Sequence, residues 1–228
     1  SEGNFSDTNF SSNVDDLEAA AAYLAENYEA PSVIVGHSLG GAAAIFAAGK
    51  IDSIKAVVTI GAPSYPEHVA HLLEGKLEEI ETRGVAQVNI GGRKFLIKKQ
   101  FLEDLQEQEH RGVIKNLNKA LLVMHSPQDD IVEIENAANI YRLARHPKSF
   151  VTLDGADHVL SNKNDAYYAG SVITSWVKRY IPFSNQEKLE THKEVVVRLE
   201  GEDYTTEIQA GDHAILADEP VEVGGNDF

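Results

Sequence analysis

The sequence predicts an α/β fold: a doubly wound, mostly parallel sheet with helices on both faces. Three observations point there. Short apolar or β-branched runs alternate with segments of helical period. Those runs are apolar on successive residues, which suits strands buried on both sides. One of them, Val33-Ile34-Val35, opens directly into Gly36-His37-Ser38-Leu39-Gly40-Gly41, a glycine-bounded turn between a strand and a helix. The 228 residues, 43% hydrophobic and 25% charged, give enough chain for a sizeable core.

In chain order, Asn13 is expected to cap the first helix. Asp15 and Asp16 then fall in its first turn, where the helix dipole favours negative charge. Val14, Leu17, Ala21, Leu24 and Tyr28 recur at helical spacing until Pro31 stops the pattern. Ser32 to Val35 reads as a strand and Gly41 to Ala48 as an alanine-rich helix. Ile54 to Ile60, Ala120 to His125 and Ser149 to Leu153 read as further strands. Helical patterns run from about Glu135 to Ala144 and Tyr167 to Lys178. The stretch between Ile60 and Ala120 is too long for a plain connection. It is predicted to hold a helix over Glu67 to Glu81, and a hairpin of Gln87 to Ile90 and Lys94 to Ile97 around Gly91-Gly92-Arg93. This insertion, about 62–118, begins at the carboxyl end of a strand. It is therefore expected to lie over the site there as a lid and to shape the substrate pocket.

The chain carries 36 acidic and 20 basic side chains, a net charge of −16. That balance argues against nucleic acid and against an anionic membrane as partners. No apolar run approaches the ~20 residues of a membrane span. Without cysteine, these residues offer no disulfide framework, thiolate–zinc site, iron–sulfur cluster or thiol catalyst. No signal peptide is visible, and the cytoplasm is the expected location. The acidity is uneven: 185–228 holds 12 acidic and 3 basic residues, net −9, against net −7 for the 184 residues before it. The step falls at Ile181-Pro182-Phe183-Ser184-Asn185, so the predicted domains are 1–184 and 185–228. In the second, Val195 to Leu199, Tyr204 to Ile208 and His213 to Pro220 read as three short strands. They turn at Gly201-Glu202-Asp203 and Ala210-Gly211-Asp212 and form a meander with too little core to stand alone.

The chemistry is expected at Gly36-His37-Ser38-Leu39-Gly40, a G-x-S-x-G pattern with a strand before it and a helix after it. Gly36 and Gly40 are expected to be glycine because the turn is too tight for side chains at its flanks. Ser38 would stand above the sheet as nucleophile, with the Leu39 N–H and the helix dipole facing a developing oxyanion. The bland reading of the pattern is a glycine-softened turn with an N-capping serine. A serine nucleophile needs a base and an orienting acid, and where the serine stands on a G-x-S-x-G turn between strand and helix they follow it in the order Ser, Asp, His. Past the strand Leu121-Leu122-Val123-Met124-His125 lies Ser126-Pro127-Gln128-Asp129-Asp130. Both aspartates can reach an imidazole there; Asp129 is preferred, and the other reads as a loop charge or a cap. After Phe150-Val151-Thr152-Leu153 comes Asp154-Gly155-Ala156-Asp157-His158, which supplies His158 as base, with Asp154 and Asp157 as fallback acids. The other histidines are less well placed. His37 sits in the turn itself, and His125 ends a strand in a structural role. His110 and His146 read as solvated, while His192 and His213 fall in the second domain. His68 and His71 are spaced i, i+3 but have no evident third ligand, so no metal is expected.

These motifs together, Gly-His-Ser-Leu-Gly-Gly, His-Ser-Pro-Gln-Asp-Asp-Ile-Val and Gly-Ala-Asp-His, resemble the α/β-hydrolase superfamily over about residues 1–181. The similarity is nearest to its bacterial serine-aminopeptidase-like and esterase-like branch. The resemblance implies Ser38 as nucleophile, Asp129 as acid and His158 as base. The implied reaction is hydrolysis of a small-molecule carboxylic ester, thioester or amide through an acyl-enzyme, with neither metal nor organic cofactor. His-Ala-Ile-Leu-Ala-Asp-Glu-Pro and Gly-Gly-Asn-Asp-Phe resemble the opening strands of the α+β OsmC-like thiol peroxidases, which follow hydrolase domains in some bacterial proteins. That family's two cysteines match no residue here, so no peroxidase site is carried over. The resemblance implies truncation at both ends, since no strand before the first helix offers a second oxyanion donor. The piece is therefore expected to be a poor enzyme. It also implies a homodimer through the OsmC-like part. The alternative function is an idle hydrolase scaffold in a protein that reduces hydroperoxides with thiols.

Overall fold

The computed structural model describes residues 7–65, 74–90, 93–107, 110–181, 195–199, 204, 206–211 and 213–223. The chain divides into two units, Ser1–Pro182 and Phe183–Phe228.

In the first unit four parallel strands form a sheet in the order β1-β2-β5-β6. These are β1 (Val33–His37), β2 (Ala56–Ile60), β5 (Ala120–His125) and β6 (Lys148–Thr152). The inner strands are the apolar ones. Every residue of β5, and all of β2 but Ile60, is buried, as helices on both faces require. On one face α2 (Leu39–Lys50), α5 (His110–Lys115) and α6 (Glu135–Leu143) enclose Ile45, Val57, Leu121, Val123 and Ile140. On the other, α7 (Lys163–Val177) covers Val58, Leu122 and Met124. There the Trp176 indole N–H donates to Ser149 Oγ at 2.9 Å.

The first helix departs from expectation. α1 runs Phe10–Asn27 and is capped by Asn9, not Asn13. The Asn9 side chain accepts from Ser12 N at 2.7 Å and Ser12 Oγ accepts from Asn9 N at 2.9 Å, a reciprocal box with serine in the third position. Phe10 is fully buried, so the apolar stripe begins one turn earlier than the sequence pattern suggested. That shift leaves Asp15 and Asp16 beyond the first turn, and no acidic residue occupies it.

The described residues between β2 and β5 include α3 (Leu77–Arg83), the antiparallel pair β3 (Val85–Ile90) and β4 (Arg93–Lys98), α4 (Lys99–Glu107) and α5. Gly84 ends α3 at φ 77°, a left-handed position glycine occupies without cost. The expected helix from Glu67 lies partly outside the described residues, as does the hairpin turn Gly91-Gly92. Ile80, Ala86, Val88, Ile97, Phe101 and Leu105 pack with Phe10, Val14, Ala43 and Ala47 into one core cluster against α1 and α2. Asp104 ties α4 to α1 by accepting from Ser11 N at 2.8 Å and Ser11 Oγ at 2.5 Å.

The second unit contains the antiparallel sheet β7 (Val195–Leu199), β8 (Thr206–Ala210) and β9 (His213–Ala217). Arg198 and Glu207 lie opposite one another in its register and pair at 2.6 Å. The Gly201-Glu202-Asp203 turn, Asp212 and Gly224 to Phe228 lie outside the described residues.

Candidate active site

The site forms where the strands end. β1 stops at His37, and Ser38 turns the chain at φ 53°, ψ −132°, a region costing roughly 1–3 kcal/mol for a residue with a Cβ. Neighbouring backbone holds it there: Ser38 N donates to Ile60 O at 2.9 Å, and Gly41 N to Ser38 O at 2.8 Å. Leu39 opens α2, so its N–H is among those left without a partner inside the helix.

The reasons for the glycines differ from expectation. A Cβ on Gly36 would stand 2.2 Å from Gly40 O, and one on Gly41 would stand 2.6 Å from the Ala62 Cβ. A Cβ on Gly40 would meet nothing within 4 Å. The tight crossing is thus between strand residue 36 and the first turn of α2, where position 41 faces inward and position 40 faces out. Gly36→Ala is expected to lower stability by roughly 1–3 kcal/mol or more, because backbone cannot yield as a side chain would. Gly40→Ala should be neutral or slightly stabilising in a helix. Urea midpoints of the two variants check the contrast.

Asp129 and His158 meet this turn from β5 and β6. His158 Nδ1 lies 2.7 Å from Asp129 Oδ2, and His158 Nε2 lies 3.0 Å from Ser38 Oγ. A carboxylate only accepts, so Nδ1 carries the proton and Nε2 is left as an acceptor for the serine hydroxyl. Asp129 Oδ1 accepts from Ile131 N and Val132 N, both at 2.9 Å. Burial alone would raise the Asp129 carboxyl pKa. The hydrogen bonds from His158, Val132 and Ile131 outweigh that and hold it below the usual value. Both side chains are nearly closed off, Asp129 at 8% and His158 at 7% exposure.

The structure does not bring the other acids to this ring. Asp130 is exposed, Asp154 accepts from Thr152 Oγ1 at 3.2 Å, and Asp157 accepts from Ser161 N at 2.8 Å. His125 is fully buried. Its Nε2–H donates to Val132 O at 2.7 Å, bracing the loop that carries Asp129. His146 and His213 are exposed, while His68, His71 and His192 lie outside the described residues. Among the described residues no group of three or more His, Asp or Glu is placed to hold a metal ion. None of the described helices is long and apolar enough to cross a membrane.

Two further residues belong to the site although no local signal marked them. Gly61 sits at φ 55°, and a Cβ there would stand 3.1 Å from Asp129 Oδ2 and 3.3 Å from His158 Nδ1, so only glycine leaves that pair its room. Gln128 Oε1 accepts from Gly155 N at 2.6 Å and joins the acid loop to the loop bearing His158.

Beside Ser38 opens a cavity of about 550 Å³ with Leu17, Leu39, Phe95, Ile97, Phe101 and Val132 in its wall. Three of these come from the β3–β4–α4 insertion. Chemically, the arrangement can move a proton from the half-buried Ser38 hydroxyl to an imidazole beside an apolar cleft.

No protein-family model and no curated protein matches the chain. Solved structures do. The esterase domain of a Rhodothermus marinus protein is 48% identical over 77% of this chain and 72% of that one, with a TM-score of 0.65. Est1E from Butyrivibrio proteoclasticus is 20% identical over 76% and 72% of the two chains, TM-score 0.60. Mouse alpha/beta hydrolase domain-containing protein 10 is 18% identical over 78% and 72%, TM-score 0.62. The latter two share the fold. The first, at nearly half identity across most of both chains, shows the family: this chain belongs with that esterase domain, on a fold it shares with the alpha/beta hydrolase domain-containing protein, and is a hydrolase.

Proposed function

We propose that the chain hydrolyses carboxylic esters, thioesters or amides, with Ser38 as nucleophile, His158 as general base and Asp129 as its orienting acid. The observation that carries this is one imidazole bridging two partners, 3.0 Å to Ser38 Oγ on one side and 2.7 Å to Asp129 on the other. Ser38 Oγ attacks the carbonyl carbon as its proton passes to His158 Nε2. The resulting oxyanion is met by the Leu39 N–H at the start of α2. His158 then gives the proton to the departing alcohol, thiol or amine, which leaves an acyl-Ser38. Water, deprotonated by the same nitrogen, releases the acid and regenerates the hydroxyl. Oxygen esters are the favoured class, since the 48% identical relative is an esterase domain. Phe95, Ile97 and Phe101 suit an uncharged, apolar group beside the scissile bond, and this is the support for reading the 62–118 insertion as a lid. For 185–228, the antiparallel strands β7 to β9 support the OsmC-like reading, with a second copy of the chain as its dimer partner. The assembled Ser38, His158 and Asp129 favour hydrolysis over the idle-scaffold alternative.

A fluorophosphonate should add a single phosphonyl group to the peptide containing Ser38, read by mass spectrometry of the digested protein. An unlabelled wild type, or labelling that persists in Ser38→Ala, would sink the assignment.

A further inference from the structure

We propose that His37 is a positioning residue for this reaction, holding the backbone of His158 in place through its Nε2–H. The proposal rests on the assignment of His158 as base. His37 Nε2 lies 2.6 Å from the carbonyl oxygen of His158, a residue 121 positions away in the chain. A carbonyl can only accept, so Nε2 carries the proton. The two rings also pack, with centroids 4.8 Å apart at 48°. Loss of solvent on the packed face lowers the pKa of His37, opposed by the bond to the His158 carbonyl, so the neutral ring with one proton at Nε2 is favoured at neutral pH.

The carbonyl that His37 grips belongs to no strand or helix. It lies in the loop between β6 and α7, where Gly155 at φ 82° and Leu160 at φ 51° reverse the chain. Elsewhere that loop is tethered toward β5: Leu153 N donates to His125 O at 2.9 Å, Gly155 N to Gln128 Oε1 at 2.6 Å, and the His158 ring to Asp129. These bonds set where the loop starts and which way the ring faces along the acid side. The His37 bond is different in direction. It joins the backbone of the base to the residue directly before the nucleophile, and so fixes the gap across which the proton moves. Freed of it, the loop can rotate about the Asp129–His158 bond and lengthen the 3.0 Å approach to Ser38 Oγ. A displacement of about 1 Å at such a contact costs on the order of 10²-fold in rate.

The test compares His37→Phe, which keeps a packed ring without a donor, with His37→Gln, whose amide NH2 reaches about as far as Nε2. Both are assayed for kcat and KM on a neutral p-nitrophenyl ester and for the rate of fluorophosphonate labelling. His37→Phe is expected to lose roughly 10- to 100-fold in kcat and in labelling rate. KM should stay within about threefold, and His37→Gln should recover most of the loss. The proposal is overturned if His37→Phe matches wild type, if both variants lose equally, or if the loss lies in KM. Should His37→Phe fail to fold, 15N imidazole NMR of the wild type decides. A protonated Nε2 with bare Nδ1 on His37 supports the bond, and the reverse tautomer overturns it. A wild type that does not label at Ser38 fails in a different way, because it removes the assignment of the base on which the proposal stands.

Discussion

Replacing Ser38 by alanine is expected to lower kcat on an ester substrate by roughly 10⁵- to 10⁶-fold, the scale seen when a serine nucleophile is removed from such a machine. The change deletes one oxygen whose hydrogen bond goes to His158, at 3.0 Å, while the backbone bonds of Ser38 to Ile60 and Gly41 stay intact. The turn should therefore survive and the melting temperature should move little. Alanine also tolerates φ 53°, ψ −132° no worse than serine, so no strain is relieved. Ester hydrolysis with thermal unfolding on the same sample checks the pair of expectations. A variant that keeps a tenth of wild-type kcat would show that the nucleophile lies elsewhere.

Asp129→Asn should follow, with a loss of roughly 10³- to 10⁴-fold in kcat. The reason is a tautomer. Asparagine can still accept from Ile131 N and Val132 N through its carbonyl oxygen, but it then presents NH2 rather than oxygen to His158 Nδ1. The imidazole answers by moving its proton to Nε2, where it faces Ser38 and can no longer take the hydroxyl proton. The same substitution has a signature in stability. Native Asp129 binds its proton less tightly than an unfolded aspartate. Its charge therefore adds stability that is fully present above the unfolded value of roughly pH 3.9 and is lost as pH falls through the lower native value. At neutral pH the variant should unfold at lower urea than wild type, and the gap should narrow at about pH 3. A gap that widens in acid would contradict the direction of that shift.

Ser38, Asp129 and His158 could be singled out from sequence because each stands just past the end of an apolar run, where a sheet delivers side chains to one edge. That is a local signal, visible in a dozen residues. The strands were legible for the same reason, with β5 read at its observed limits and β1 displaced by a residue or two because Gly36 and His37 are not apolar. The roles of His37, Gly61 and Gln128 were not legible. Their meaning comes from contacts with His158, Asp129 and Gly155, made only after the loops meet, and nothing near residues 37, 61 or 128 encodes them. Gly40 misled for a related reason. Its neighbour Gly41 faces the crossing strand and Gly40 does not, and that depends on the rotation of α2 about its axis. The start of α1 was missed because Asn9 caps with Ser12 in place of the usual acidic partner. Helix α4 has Phe101, Leu102 and Leu105 at helical spacing, whereas the bond that Asp104 accepts from Ser11 of α1 is a contact over 93 positions that no local pattern marks.

The order of the strands has a consequence for how this hydrolase would fail. Asp129 descends from β5, which is paired on both sides, whereas His158 is carried by β6, which in the described sheet has β5 alone as its neighbour. Opening of β6 and its loop is expected to need less free energy than exposure of β2 and β5, so the amides of those inner strands should be the last to exchange with solvent. Mild heat or low denaturant would then unseat His158, the proposed base, while the core remains intact. For this molecule the loss of turnover and the loss of the fold are therefore expected to be separate events, with inactivation reporting the rim of the sheet rather than its centre.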